Sequence, residues 1–402
     1  MNITSSRSLE LIYFDYGGGH RNASEALEHV FKEQYPHWNV RRVNLFSDVL
    51  RQLDPVHCLT KNSLKPCQSE DFYNTLLQRG LTYGFGLALP LTQRAIKLSS
   101  SAMEELLRQH WQGSQPDLVV SLIPNFNEVM FKALQTVQPQ TPYVTVMTDM
   151  ADVPPNFWQA KQDQFMICGS EMALRQSRQT GYREERIFKT TGMIIKPQFY
   201  VSSMSGDERW RRLEREKLRL DPDLPTAFIM FGGHGAKVAA AIVERLNNSN
   251  LAVQTIAMCG HNKELLQSFQ GVKGCCPVGF TSDQVPYYMG LADFFIGKPG
   301  PGSLSEALHM GLPVIVNCDR STMPQERPNV DWVRDNKLGL VVNNFKNIVA
   351  AVRWLLEGDR LTHFRQNAKS LDNRAVFEIP LLLDRMMDDT DEKTYRFSKY
   401  TS

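Results

Sequence analysis

A histidine set directly behind three glycines is the first place in this 402-residue chain where residue type and spacing could do chemistry. His20 follows Gly17-Gly18-Gly19 at the start of a helix-period segment. The partial positive charge of a helix N-terminus disfavours imidazolium, so the ring stays neutral near pH 7 and can accept a proton. The competing reading is that His20 only caps or packs the helix. A glycine turn between strand and helix also lets backbone N–H groups approach an anion. The chain holds three such turns: Gly17–Gly19, Gly232-Gly233-His234-Gly235, and Gly297-Lys-Pro-Gly-Pro-Gly302-Ser303. None fits G-x-G-x-x-G after the first strand and none fits G-x-x-x-x-G-K-[ST], which disfavours a dinucleotide oxidoreductase and a P-loop enzyme. Ser303-Leu-Ser-Glu306 has two readings: a capping box, or a carboxylate that grips the vicinal hydroxyls of a ribose beside a phosphate turn. Asp149 follows a β-rich strand, where loops line a cleft in an α/β sheet, and could orient an acceptor or His20.

The elements that must carry these residues alternate between strand and helix. Leu9–Tyr16 reads as a strand, and Ala23, Ala26, Leu27, Val30 and Phe31 form one apolar helical face behind His20. Further strands are expected at Val40–Phe46, Leu118–Ile123, Tyr143–Met147 and Phe165–Cys168. Residues 196–225 change character: a charged run from Asp207 and a Pro-bounded Asp221–Pro225 read as a solvated helix joining two domains. The pattern then restarts, with strands expected at Ala227–Phe231, Val253–Met258, Asp293–Ile296, Pro313–Val316 and Gly339–Val342, a helix at Lys237–Leu246 and a core helix at Phe345–Glu357. The expected organisation is α/β: two doubly wound, Rossmann-like domains facing across a cleft. Their boundaries are 1–195, a connection 196–225, 226–387, and a polar, frayed tail 388–402.

Composition sets the outer limits. Forty-five Lys and Arg against 43 Asp and Glu leave a net charge of +2, which excludes a generally polybasic nucleic-acid binder. The longest apolar run, Tyr83–Leu91, is far short of the roughly 20 residues of a spanning helix. The N-terminus does not read as a secretion signal, and the seven cysteines form no C-x-x-C pair, so no metal site and a reduced, cytoplasmic setting are expected. Vicinal Cys275-Cys276 reads as structural. Leu76–Leu98 mixes Leu, Phe and Tyr with flanking Arg79, Arg94 and Lys97, which suits either a buried helix pair or a segment lying on an anionic bilayer, with Lys61 and Lys65 as a further cationic flank beside Cys67.

Asp15-Tyr16-Gly17-Gly18-Gly19-His20-Arg21-Asn22-Ala23-Ser24 resembles the opening motif of the monogalactosyldiacylglycerol synthase family. These are inverting glycosyltransferases of the GT-B fold, related to the peptidoglycan lipid-linked N-acetylglucosaminyltransferase. Gly297 through Leu308, followed by Gly311-Leu312-Pro313, resembles their nucleotide-sugar signature, and Gln325-Glu326 with Asn329 falls where the family carries its sugar-contacting Gln-Glu and a following Asn. Val278-Gly279-Phe280 stands where the strand end beside uracil is expected. The resemblance implies that His20 is the base. It puts Gly19, Gly232, Gly233, His234 and Phe280 beside the donor, with Gly302 and Ser303 on the diphosphate. Glu306 falls on the ribose, and Gln325 and Glu326 on the hexose.

It implies transfer of galactose or glucose from UDP-galactose or UDP-glucose to a diacylglycerol-like lipid, without a cofactor, a metal or nucleic acid. The chain would sit peripherally on the inner face of a membrane. Two departures bear on the acceptor side: Ile123-Pro124 stands for a family His-Pro, and Thr148-Asp149-Met150 is followed by Pro154-Pro155-Asn156-Phe157-Trp158 in place of His-Pro-x-Trp-Phe. Pro324 and Pro328 also stand for two glycines. The missing histidines motivate one alternative, a nucleotide-sugar-binding protein with little catalysis; a third reading is a GT-B-fold sugar-nucleotide epimerase.

Overall fold

The computed structural model of the chain describes residues 6–60, 69–70, 93–94, 96–201, 208–233, 237–281, 283–320 and 322–400. His234, Lys61, Lys65, Cys67 and most of the amphipathic segment Leu76–Leu98 therefore lie outside the described residues.

Short runs of apolar, β-branched residues build two parallel six-stranded sheets. The first contains β1 (Arg7–Tyr13), β2 (Trp38–Asn44), β3 (Leu118–Ser121), β4 (Tyr143–Val146), β5 (Phe165–Cys168) and β6 (Ile187–Lys189), in the order β2-β1-β3-β4-β5-β6. The second contains β7 (Thr226–Met230), β8 (Gln254–Gly260), β9 (Cys275–Gly279), β10 (Phe294–Gly297), β11 (Val314–Asn317) and β12 (Gly339–Val342), in the order β12-β11-β10-β7-β8-β9. Parallel sheets need helices on both faces. In β1, Leu9 and Leu11 pack into one core with Leu27 and Phe31, while Ile12 packs into another with Val43 and Trp111. The expected strands are present within a few residues; β6, and the start of β9 at Cys275, went unread.

Chain order reverses between β1 and β3 in the first sheet and between β10 and β7 in the second. In doubly wound sheets, ligands bind beyond the carboxyl ends of the strands at such reversals. All three glycine turns leave from these strands: the Gly17–Gly19 turn after β1, the Gly232-Gly233 turn after β7, and the Gly297–Gly302 turn after β10.

Two expectations about the connections are corrected. The Glu208–Lys217 helix is not a solvated link: Arg211 and Arg215 are buried, and both reach Asp293 at 2.9 and 2.8 Å while donating to the carbonyls of Gly290, Leu291 and Ala292. A charged sequence here docks onto the second domain because its arginines find a buried carboxylate. The C-terminal segment is not frayed from residue 388 either, since one helix runs Ala375–Tyr400. Ala375, Val376, Ile379, Leu383, Met386 and Met387 are buried in the first domain's core, so this helix crosses back from the second domain rather than completing it.

Candidate active site

The first helix, α1 (Gly19–Gln34), begins where Gly18 adopts φ 82°, a left-handed turn that suits glycine and swings the chain from strand into helix. His20 is the second residue of α1. Its Nδ1–H donates to the Leu122 carbonyl at 2.7 Å, and Thr148 Oγ1 lies 3.0 Å from the same nitrogen. A carbonyl can only accept, so the proton sits on Nδ1 and Nε2 keeps its lone pair. Phe14 lies edge-on to the ring at 4.6 Å and Trp158 is tilted at 5.9 Å. Burial lowers the pKa to about 4, with the Leu122 carbonyl opposing. The sequence expectation of a neutral imidazole has the right direction, but desolvation is the main cause.

Asp149 shares the cavity wall with His20, yet its carboxylate accepts from Trp158 Nε1 at 2.9 Å. The groups that hold His20 are Leu122 and Thr148, not Asp149. Burial raises the Asp149 pKa to about 7, opposed by the Trp158 hydrogen bond and raised further by Glu326. Trp158, Thr148 and the Leu122 carbonyl were missed as site groups. The signal for Leu122 and Thr148 was their position just beyond the ends of β3 and β4, on the side of the switch point, and Trp158 lies in the stretch after Asp149 that departs from the family pattern.

Across the gap, β10 ends at Gly297 and the Pro301–His309 helix begins. Gly300 is its N-cap, so Ser303 lies inside the first turn, with its hydroxyl only 3.5 Å from the Gly300 carbonyl. This removes the capping-box reading, in which Ser303 had to be the cap. The Glu306 carboxylate is left with no hydrogen bond to a described residue. Burial raises its pKa to about 7, with Lys196 opposing. The first-turn N–H groups of Gly302 and Ser303 precede the first intrahelical bond, Leu304 N–H to Gly300 O at 3.0 Å, and are available to an anion.

Glu326 is buried and pairs with Lys298 Nζ at 3.1 Å, while Gln325 Nε2 approaches Met323 Sδ at 3.7 Å. Asn329 Nδ2 donates to the Pro299 carbonyl at 2.7 Å, bracing the glycine turn. Phe280 is half exposed and stacks on His261 at 3.8 Å; the His261 N–H in turn donates to Gly233 O at 3.0 Å. His261 is a further residue the sequence reading passed over.

One cavity of about 670 Å³ joins these walls, lined from the first domain by Gly19, His20 and Asp149 and from the second by Gly232, Gly233, Phe280, Gly302, Ser303, Glu306, Gln325 and Glu326. Every described donor-side residue expected from the sequence therefore faces one space, and His234 alone lies outside the described residues. Among the described residues no three His, Cys, Asp or Glu cluster as a metal site, and no helix is long and apolar enough to cross a membrane.

Two doubly wound domains with opposed switch points and a shared cleft define a GT-B protein. A family model described as monogalactosyldiacylglycerol (MGDG) synthase matches residues 20–195. The chain is 28% identical over 404 residues to the chloroplastic monogalactosyldiacylglycerol synthase of Spinacia oleracea, covering 95% of this chain and 73% of that protein. It is 27% identical over 403 residues to a probable monogalactosyldiacylglycerol synthase 3 of Oryza sativa subsp. japonica, covering 94% and 74%. Among solved structures, MurG of Acinetobacter baumannii superposes with a TM-score of 0.60 at 9% identity, covering 94% of this chain and 99% of that one. Anabaena HepE in complex with UDP-glucose gives a TM-score of 0.53 at 14% identity, covering 95% and 99%. The chain is thus similar over nearly its whole length to monogalactosyldiacylglycerol synthases, and its fold is that of the GT-B proteins.

Proposed function

We propose that this protein is an inverting hexosyltransferase that moves galactose or glucose from a UDP-sugar to the free hydroxyl of a diacylglycerol-like lipid. The observation that carries this is His20, fixed by Leu122 so that a basic Nε2 remains, in the wall of a cavity whose other side is a helix N-terminus and its glycine turn. Names of relatives across nearly the whole chain support the donor and acceptor classes.

In the reaction, the acceptor oxygen attacks the anomeric carbon from the first-domain side and its proton passes to His20 Nε2. The bond from the anomeric carbon to the diphosphate oxygen breaks, and UDP leaves with the electron pair. Charge developing on that oxygen is met by the Gly302 and Ser303 N–H groups, which point at it before the reaction starts and so cost no reorganisation. The dipole of the Pro301–His309 helix and the Lys298 ammonium add to this, without a metal. Glu306 holds the ribose hydroxyls, Gln325 and Glu326 the hexose, and Phe280 flanks the uracil. A cleft between domains excludes the water that would otherwise hydrolyse the donor. The reading includes a peripheral place on the inner, cytoplasmic face of a membrane. Leu98, the last residue of the amphipathic segment, and Leu59, just ahead of the cationic flank Lys61 and Lys65, are 89% and 87% exposed and support it.

The test is transfer of labelled hexose from UDP-galactose and UDP-glucose to diacylglycerol in vesicles. Removing a general base costs about 10²–10⁴-fold, so His20→Ala should fall by that factor while still binding UDP. Undiminished transfer by His20→Ala would remove the imidazole from the mechanism, and turnover of donor without acceptor would favour the epimerase.

A further inference from the structure

We propose that Lys196 is a positioning residue of the donor site, an ammonium shared between the two domains that leaves Glu25 when an anionic donor enters the cleft. The inference rests on reading the cleft as a nucleoside diphosphate site.

Lys196 stands where the chain passes from one domain to the other. Met193 and Ile195 just before it are buried in the second domain's core, while Ile194 packs against the first. Its Nζ lies 3.1 Å from Glu25 Oε2, with only 15% of the lysine side chain exposed. Glu25 is in α1, on the same helix as His20, so this ion pair ties the helix that carries the base to the connection between domains. On its other side Lys196 faces the donor wall. It lines the same cavity as Gly302, Ser303 and Glu306, and its charge acts on the Glu306 carboxylate.

The ion pair is built to be exchanged. Glu25 Oε1 already has two other cations within reach, Arg42 Nη2 at 3.5 Å and Arg21 Nε at 3.8 Å. Losing Lys196 therefore does not strand a carboxylate, the usual reason that breaking a part-buried pair is costly. A diphosphate brings more negative charge than one carboxylate, and attraction between charges in a desolvated cleft is strong. Lys196 turns toward the diphosphate, Glu25 falls back on Arg21 and Arg42, and α1 is released from the connecting chain. Donor binding and the placement of His20 are coupled through one ammonium, which favours donor binding before acceptor.

The test compares UDP binding by calorimetry in wild type, Lys196→Met, Lys196→Arg and Glu25→Gln, with steady-state kinetics and melting curves for each. Lys196→Met should weaken UDP binding about tenfold and raise the donor KM more than it lowers kcat, with Lys196→Arg recovering most of the loss. Glu25→Gln removes the competitor for the ammonium and should tighten UDP binding about threefold, an effect that misfolding cannot produce. Weaker binding by Glu25→Gln, or unchanged binding by Lys196→Met, would reduce the pair to a static tie and overturn the exchange. If wild type itself binds no UDP, the donor-site reading falls and this inference with it. Wild-type binding with unaltered variants sinks only the role of Lys196.

Discussion

At the scale of single residues, the two titrating groups facing each other across the cleft have been moved in opposite directions, and their effects on rate separate. His20 is lowered to about 4 by burial, so it is deprotonated and able to act as a base throughout the ordinary range. Glu306 is raised to about 7 by the same desolvation, so below that pH the carboxylate that would grip two hydroxyls gains a proton. Because kcat/KM reports the free enzyme, its value for the donor should fall as pH drops through about 7, and Glu306→Gln should lower it overall and abolish that limb. The remaining acid limb, from His20, should then lie near pH 4. A limb near 7 that survives Glu306→Gln would assign it elsewhere, with Asp149, also raised to about 7, the next group to test. The sequence revealed both residues because glycines and helix starts leave local marks. It could not reveal Leu122 or Thr148, which reach His20 from more than 100 residues away through the adjacency of β1, β3 and β4. It also left Glu306 with two readings, because S-x-x-E is the same string whether the cap is Ser303 or, as here, Gly300.

At the scale of elements, the turn between β10 and the Pro301–His309 helix depends on two glycines for different reasons. A Cβ on Gly297 would come within 2.5 Å of the Met230 carbonyl and of the Phe295 ring, so alanine there has to part β7 from β10 at the switch point. A Cβ on Gly302 would meet no protein atom within 4 Å. Overpacking a close contact costs about 1–3 kcal/mol, so Gly297→Ala should show that loss in urea unfolding. Gly302→Ala should unfold like wild type and yet bind UDP more weakly, because its methyl group enters the path to the first-turn N–H groups. Equal stability of the two variants would mean that the strands give way freely there. The strand–turn–helix rhythm was legible because each buried parallel strand is a short apolar run closed by glycine or proline. Ile187–Lys189 escaped notice because three residues of strand leave no periodicity to read. The docked Glu208–Lys217 helix looked solvated because Asp293, the partner that buries its arginines, lies about 80 positions along the chain.

At the scale of the whole molecule, the two domains are joined twice, once through the connection after Lys189 and again by the helix that returns from the second domain. That helix is fastened to the starts of β1 and β2: Arg7 Nη1 and Trp38 Nε1 both reach Asp384 Oδ1, at 3.3 and 3.0 Å, and Arg7 Nη2 reaches Asp388 at 2.8 Å. Its apolar face covers one side of the first sheet, with Leu383 wholly buried beside the core that contains Leu27 and Phe31. It shares that cover with α1, whose Leu27, Val30 and Phe31 lie in the same core, so the second crossing stabilises the domain it lies on, not the domain it leaves. Emptying a buried leucine site costs about 2–5 kcal/mol, and Leu383→Ala should place that loss on the first domain. Hydrogen exchange would then show faster opening of amides in β1, β3 and α1 while those in β7 and β10 keep wild-type protection, and UDP binding to the second domain would outlast transfer as temperature rises. Uniform acceleration across both sheets would mean that the two domains open as one cooperative unit, with the returning helix stabilising the pair.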